Sequence, residues 1–205
     1  MNPTKEQFDA YQAAFGYFNE KLFNQKLPAV ILNFSRRARA YGFFAPERWR
    51  TNGDSPVLTH EISLNPTLME RGPKDVYSTL VHELCHLNQH ENGSPSKNGY
   101  HNREWGKMMK EVGLCPSNTG AEGGKKTGHR ISHYIVPGGK FEQAFVAIPQ
   151  EFILPWNGTV EGKLKVQAPK RVKYHCAACD FNVYSTKTDL KLVCGSCQHE
   201  IVEAS

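Results

Sequence analysis

Apolar side chains at Phe8, Tyr11, Phe15, Phe18 and Leu22 recur in steps of three and four. This spacing predicts an amphipathic helix over residues 4–23, with Thr4 as its cap and Gln7 completing a capping-box pattern. Beyond Pro28, the β-branched content of Val30–Phe34 predicts a strand. A second apolar stretch follows at Tyr41–Ala45, the turn-rich segment Pro46–Pro56 is expected as a loop, and Glu61–Asn65 alternates as a further strand. Pro73 suits the first position of a helix. That helix carries Val76, Leu80, Leu84 and Leu87 on its apolar side and stops at Asn92-Gly93. After a polar loop at 94–100, Arg103–Val112 is expected as a helix with Trp105, Met108, Met109 and Val112 inward and Gly113 at its end. Ser117–Gly128, rich in Gly, Lys, Ser and Thr, is expected as a linker or loop. Phe141–Ile148 and Glu151–Leu154 have strand-like content.

The helix after Pro73 carries His82-Glu83-Leu84-Cys85-His86. Residues i and i+4 lie one above the other on a helix face, so both imidazoles can reach one ion. Glu83 follows the first ligand, where it can take a proton from a metal-activated water. This is the HExxH signature of zinc metalloproteases. A catalytic zinc takes three protein ligands and keeps one position open. His101, 15 residues after His86, is the expected third ligand. His90 is its competitor, but three ligands in line on one straight helix cannot surround an ion. Cys85 is expected to pack as a small hydrophobe.

Near the end of the chain stand Cys176-x2-Cys179 and Cys194-x2-Cys197. Two such pairs have the spacing of a zinc ribbon. Four thiolates close the site, which makes this zinc structural, and in so small a module the metal supplies folding free energy directly. A hairpin is expected between the pairs, from Phe181 to Val193. His175 and His199 are expected to be bystanders.

Several segments together resemble the SprT-like metalloprotease family, which includes the Spartan proteases. They are Tyr17-Phe18-Asn19 through Lys26-Leu27-Pro28, Ser35-Arg36-Arg37, Ile62-Ser63-Leu64-Asn65-Pro66, the His82–His86 motif and His101-x-x-Glu104-Trp105. The resemblance spans residues 5–116. It implies an α+β fold: a minimal zincin-type protease domain of helices packed on a small sheet, followed by a small C-terminal zinc ribbon. The implied ligands of a catalytic zinc are His82, His86 and His101, with Glu83 as general acid/base. The implied substrates are proteins bound or crosslinked to DNA. Asn102 departs from the glycine that often follows the third histidine. The expected organisation is a protease domain over 1–118, a linker or extension over 119–173 and the ribbon over 174–205.

Composition is that of a globular protein, 39% hydrophobic and 22% charged, and no apolar run approaches the length of a membrane helix. The N-terminus lacks the apolar centre of a secretory signal. An intracellular location is therefore expected, cytoplasmic with the nucleoid or nuclear, where thiols stay reduced. The net charge is +5. It gathers at Arg36, Arg37 and Arg39 and at Lys163, Lys165, Lys170, Arg171 and Lys173. Such clusters are either a solvated surface or a contact for single-stranded DNA, with Tyr174, Phe181 and Tyr184 able to stack on bases; DNA–protein crosslinks as partners are implied by the resemblance. The alternatives are a nucleic-acid-binding or regulatory zinc protein with an inactive histidine site, and a general peptidase without a DNA link.

Overall fold

The computed structural model describes residues 1–37, 40–158 and 171–204. Arg39, Lys163, Lys165 and Lys170 of the basic clusters lie outside the described residues. The chain is α+β, and its contacts divide it into Met1–Val160 and Glu161–Ser205. Among the described residues no helix is long and apolar enough to cross a membrane.

The first unit opens with helix α1 (Pro3–Phe23). Its cap is Asn2 rather than Thr4: the Asn2 side chain accepts from the Lys5 N–H at 3.1 Å. Pro3 then occupies the first helical position, where its missing N–H costs nothing. Tyr11, Phe15 and Phe18 are buried, as the periodicity requires.

Strands β1 (Ile31–Phe34), β2 (Gly42–Arg50) and β3 (Leu58–Leu64) form a sheet in the order β1-β3-β2. β3 is central, parallel to β1 and antiparallel to β2. Of the expected loop Pro46–Pro56, the part up to Arg50 is instead a continuation of β2, and the remainder is a loop. An edge strand tolerates a proline, and the register shift between Ala45 and Trp49 absorbs it. The buried Glu61 carboxylate pins the resumed ladder by accepting from the Trp49 indole N–H (2.8 Å) and the Ser63 hydroxyl (2.8 Å).

Helix α2 (Pro73–Asn92) packs against β2, α1 and helix α3 (Arg103–Glu111). Val76, Leu80, Leu84 and Leu87 are buried, and so is Cys85, which packs as a small hydrophobe. Gly42 of β2 lies so close to α2 that a Cβ there would stand 2.9 Å from the Ser63 carbonyl oxygen and 3.4 Å from Glu83 Cγ.

The stretch beyond residue 118 joins this same core. β4 (Leu114–Ser117) pairs with β5 (Ser132–Ile135), with the glycine-rich segment as their connection. The strand-like segment after it is helix α4 (Lys140–Val146), followed by a short 3-10 turn at Gln150–Phe152. Phe141 and Ala144, three apart, share a buried face of α4. The Phe141 ring stacks on Phe18 at 5.9 Å. Tyr77 of α2 holds the chain after α4, donating to the Phe152 carbonyl (2.5 Å) and accepting from the Leu154 N–H (2.9 Å).

In the second unit, β6 (Val172–Cys176), β7 (Phe181–Ser185), β8 (Leu192–Val193) and β9 (Glu200–Glu203) lie in the order β7-β6-β9-β8. The expected hairpin between the two cysteine pairs is not formed. β6 pairs with β7 and β8 with β9, so each C-x2-C segment is itself the turn of a hairpin. The two turns match. Asp180 N–H donates to the Cys176 carbonyl and Gln198 N–H to the Cys194 carbonyl, both at 2.8 Å. Asp180 and Gln198 are left-handed, with φ of 51° and 62°.

Because Phe141 is fully buried, Phe141→Ala is expected to destabilise the first unit by about 3–5 kcal/mol. Urea unfolding checks this, and a cost typical of a surface position would place α4 outside the core.

Candidate metal centre

Helix α2 presents His82 and His86 one turn apart, and His101 enters from the start of α3. Three features hold His101 in place. Its N–H and carbonyl pair with Gly128 at 2.9 and 3.1 Å, and its Nδ1 lies 3.0 Å from the Gly128 carbonyl oxygen. Asn102 caps α3, accepting from the Trp105 N–H at 2.9 Å. The Asn102 Oδ1 also accepts from Gln89 Nε2 (2.8 Å), and its amide donates to the Ser94 carbonyl (3.0 Å). Glu104 accepts from Gln89 Nε2 at 2.6 Å and from the Ser94 N–H at 2.8 Å, locking the end of α2 to the start of α3. The asparagine that replaces the expected glycine is thus a cap and a cross-brace.

One nitrogen from each of His82, His86 and His101 lies within 4.8 Å of the other two. His86 Nε2 and His101 Nε2 are 3.1 Å apart. Two imidazole nitrogens bonded to one tetrahedral zinc at about 2.0–2.1 Å stand about 3.3–3.4 Å apart, so the donor set suits that ion. Buried Trp105 forms the floor. It stacks on His86 at 5.0 Å and meets His82 and His101 edge-on at 4.9 and 4.4 Å. The competitor His90 points elsewhere, grouped with His60 and Glu91. Both ring nitrogens of that His60 are engaged, Nδ1 accepting from the Glu47 N–H (2.9 Å) and Nε2 facing Glu91 (3.1 Å).

Burial pushes the Glu83 carboxyl up to about 8, while a hydrogen bond from the Phe44 backbone N–H pulls the other way. The carboxyl therefore sits between α2 and the edge strand β2. Burial and the neighbouring imidazoles hold His82 well below the ordinary histidine value of 6.5. His86 falls to about 3 by burial and by His101. His101 is lowered by burial. These rings are neutral at physiological pH, as metal ligands must be.

Reading the sequence did not single out His133, on β5. Its Nδ1 stands 3.1 Å from His82 Nδ1 and its Nε2 2.9 Å from Ser78 Oγ. Burial, and then the Arg71 charge, lower it to about 4. No motif spacing marks it; only the β4–β5 pairing carries it there.

In the second unit, the sulfur atoms of Cys176, Cys179, Cys194 and Cys197 all lie within 4.8 Å of one another. Cys176 and Cys197 are 3.5 Å apart, and Cys179 and Cys194 3.9 Å. A disulfide needs about 2.05 Å, whereas sulfurs about 2.3 Å from one tetrahedral zinc lie about 3.8 Å apart. Backbone N–H groups of Cys197 and Ser196 hold the Cys194 thiol down at about 6, whereas a hydrogen bond with Cys197 and burial push Cys179 up to about 12. His175 and His199 stay outside this group. Tyr174 is not available to stack on bases: it is 1% exposed and donates its hydroxyl to the Lys187 carbonyl. Phe181 and Tyr184 are exposed.

The SprT-like family model matches residues 11–124, more than half the chain and every residue of the histidine centre except His133. The chain belongs to the SprT-like family. SprT-like proteins are generally zinc metallopeptidases. The chain is also similar to an uncharacterised protein from the mucB 3′ region of Salmonella typhimurium, 40% identical over 47 residues. That match covers 23% of this chain and 64% of the relative.

The shifted groups imply a pH dependence for the metal-free protein. From pH 4.5 to about 8, Glu83 binds more proton folded than unfolded, so its contribution to stability falls as pH rises, and above 6.5 this decline prevails. Below 6.5, the depressed histidines bind fewer protons folded than unfolded, so stability is lost as pH falls toward 4. The melting temperature of chelator-treated protein is expected to peak near pH 6.5. In Glu83→Gln the alkaline decline is expected to shrink and the acid decline to steepen. Melts of both proteins across pH 4–8.5 check this, and identical profiles would contradict it.

Proposed function

We propose that this SprT-like chain is a zinc-dependent endopeptidase, with a catalytic zinc held by His82, His86 and His101 and a structural zinc held by Cys176, Cys179, Cys194 and Cys197. The observation that carries this reading is the buried Glu83 carboxyl, one residue after His82 on the helix that also supplies His86. Burying an ionisable carboxyl is costly, and here the buried one stands next to a proposed zinc ligand. When bound, zinc supplies Lewis acidity: it polarises the scissile carbonyl and makes a water acidic enough to lose its proton near neutral pH.

The chain's own groups divide the remaining work. In its ionised form Glu83 takes a proton from the water as the water oxygen attacks the carbonyl carbon. It then gives that proton to the leaving amine nitrogen as the C–N bond breaks. The Phe44 N–H orients the Glu83 carboxyl and ties it to edge strand β2. Trp105 and the capped start of α3 fix the imidazoles, so that little reorganisation is needed.

Proteins bound or crosslinked to DNA are the substrate class we favour. Family membership supports this, together with the charge near the site. Arg36, Arg37 and Arg48 line a cleft of about 570 Å³ with Ser35, Phe43 and Ala45, next to β2. Arg37 lies over the Phe43 ring at 5.3 Å, which leaves a cation beside an aromatic face. In the ribbon, Arg171 and Lys173 adjoin a sheet whose Tyr184 is 60% exposed.

Glu83→Gln is expected to lower kcat/KM for a DNA-binding protein substrate by about 10²–10⁴-fold while leaving bound zinc unchanged. Single-stranded DNA is expected to stimulate the wild-type enzyme, less so as salt rises. A gel assay with and without DNA checks both. Cleavage that needs Glu83 but ignores DNA would keep the peptidase and remove the DNA link. No cleavage by zinc-loaded protein would favour a binding protein with an inactive histidine site.

A further inference from the structure

We propose that His133 is a positioning residue that fixes the tautomer of His82. Its role rests on the peptidase reading above, because it acts through a ligand of the proposed zinc.

The proton assignment starts at Ser78, on α2 one turn before His82. The Ser78 hydroxyl donates to the Asp75 carbonyl at 2.8 Å. With that hydrogen committed, Ser78 Oγ faces His133 Nε2 as an acceptor, so His133 carries its proton on Nε2. Neutral His133 then has only a lone pair on Nδ1. The 3.1 Å contact between the two Nδ1 atoms can be a hydrogen bond in one direction only, from His82 Nδ1–H to His133 Nδ1. His82 is thereby left with its lone pair on Nε2. His101 reaches the same state by donating Nδ1–H to the Gly128 carbonyl. Metal-ligating histidines ordinarily give their second N–H to a carboxylate, carbonyl or water; here a neutral imidazole takes that place.

One further feature fits this role. His133 bridges one turn of α2, from Ser78 to His82, so it braces the ligand as well as setting its protonation. Unlike a carboxylate, an imidazole accepts this hydrogen bond without adding a negative charge.

Two measurements test the proposal. In full-length metal-free protein, ¹⁵N shifts of the histidine rings report which nitrogen is protonated. A protonated Nδ1 and a bare Nε2 on His82 are expected; the opposite tautomer would overturn the assignment. Zinc competition titrations then compare wild type, His133→Ala and His133→Asn, whose side-chain oxygen can replace the Nδ1 acceptor. His133→Ala is expected to weaken zinc at the histidine centre by about 10–100-fold, with the four-cysteine zinc retained, and His133→Asn to restore most of that loss. Equal affinity in all three proteins, or equal weakening in both variants, would overturn the role. Wild type that binds zinc only at the cysteines would remove the peptidase reading and this inference with it, an outcome distinct from both.

Discussion

The whole first unit depends on burying α2 with its polar residues aboard. Along one helix, Leu80, Leu84 and Leu87 need an apolar surround, while Ser78, Thr79, His82, Glu83 and Gln89 are buried beside them. A buried polar group is tolerated only when it is hydrogen-bonded or bound to an ion. The surrounding structure answers that demand group by group. Gln89 is met by Asn102 and Glu104, Glu83 by the Phe44 N–H, Ser78 by the Asp75 carbonyl, and His82 by His133. The three imidazoles whose lone pairs converge are best met by a cation. Fold and chemistry are two consequences of one packing problem.

That view explains why partners come from so many elements. β2 contributes a backbone donor and has to approach closely, which Gly42 permits. The loop before α3 contributes His101, and the β4–β5 hairpin contributes both the Gly128 acceptor and His133. α4 contributes no ligand. Its Phe141 and the chain after it, held by Tyr77, close the far side of α1 and α2. The ribbon solves a different problem. Among the described residues its buried core is Tyr174, Cys176, Cys194 and Ile201, with Val172, Val183, Leu190 and Leu192 partly buried against it, a core so small that a metal at the four cysteines would add directly to its stability.

Much of the fold and most of the site were legible in the sequence, for local reasons. Helical spacing, Pro73, Asn92-Gly93 and the two cysteine pairs are signals carried within a few residues of one another. What escaped depends on distance. β2 runs through Pro46 because it is an edge strand, a fact about its neighbours. The segment at Phe141 reads as strand in composition, but Phe18 and Tyr77 offer a surface that suits a helix face. The hairpins of the ribbon lie across the cysteine pairs, not between them, because each C-x2-C turn already reverses the chain. Tyr174 read as a stacking residue and is core. His133 was invisible because its meaning comes wholly from a contact 51 positions away in the chain.

The central claim is that the imidazoles of His82, His86 and His101 hold a zinc ion beside Glu83. Anomalous diffraction at the zinc edge, from crystals of the full chain grown without chelator, tests it most directly. The account requires one peak within bonding distance of all three histidines, with His133 outside it, and a second among the four cysteines. A peak at the cysteines alone, or one at His60, His90 and Glu91 in place of the first, would contradict it.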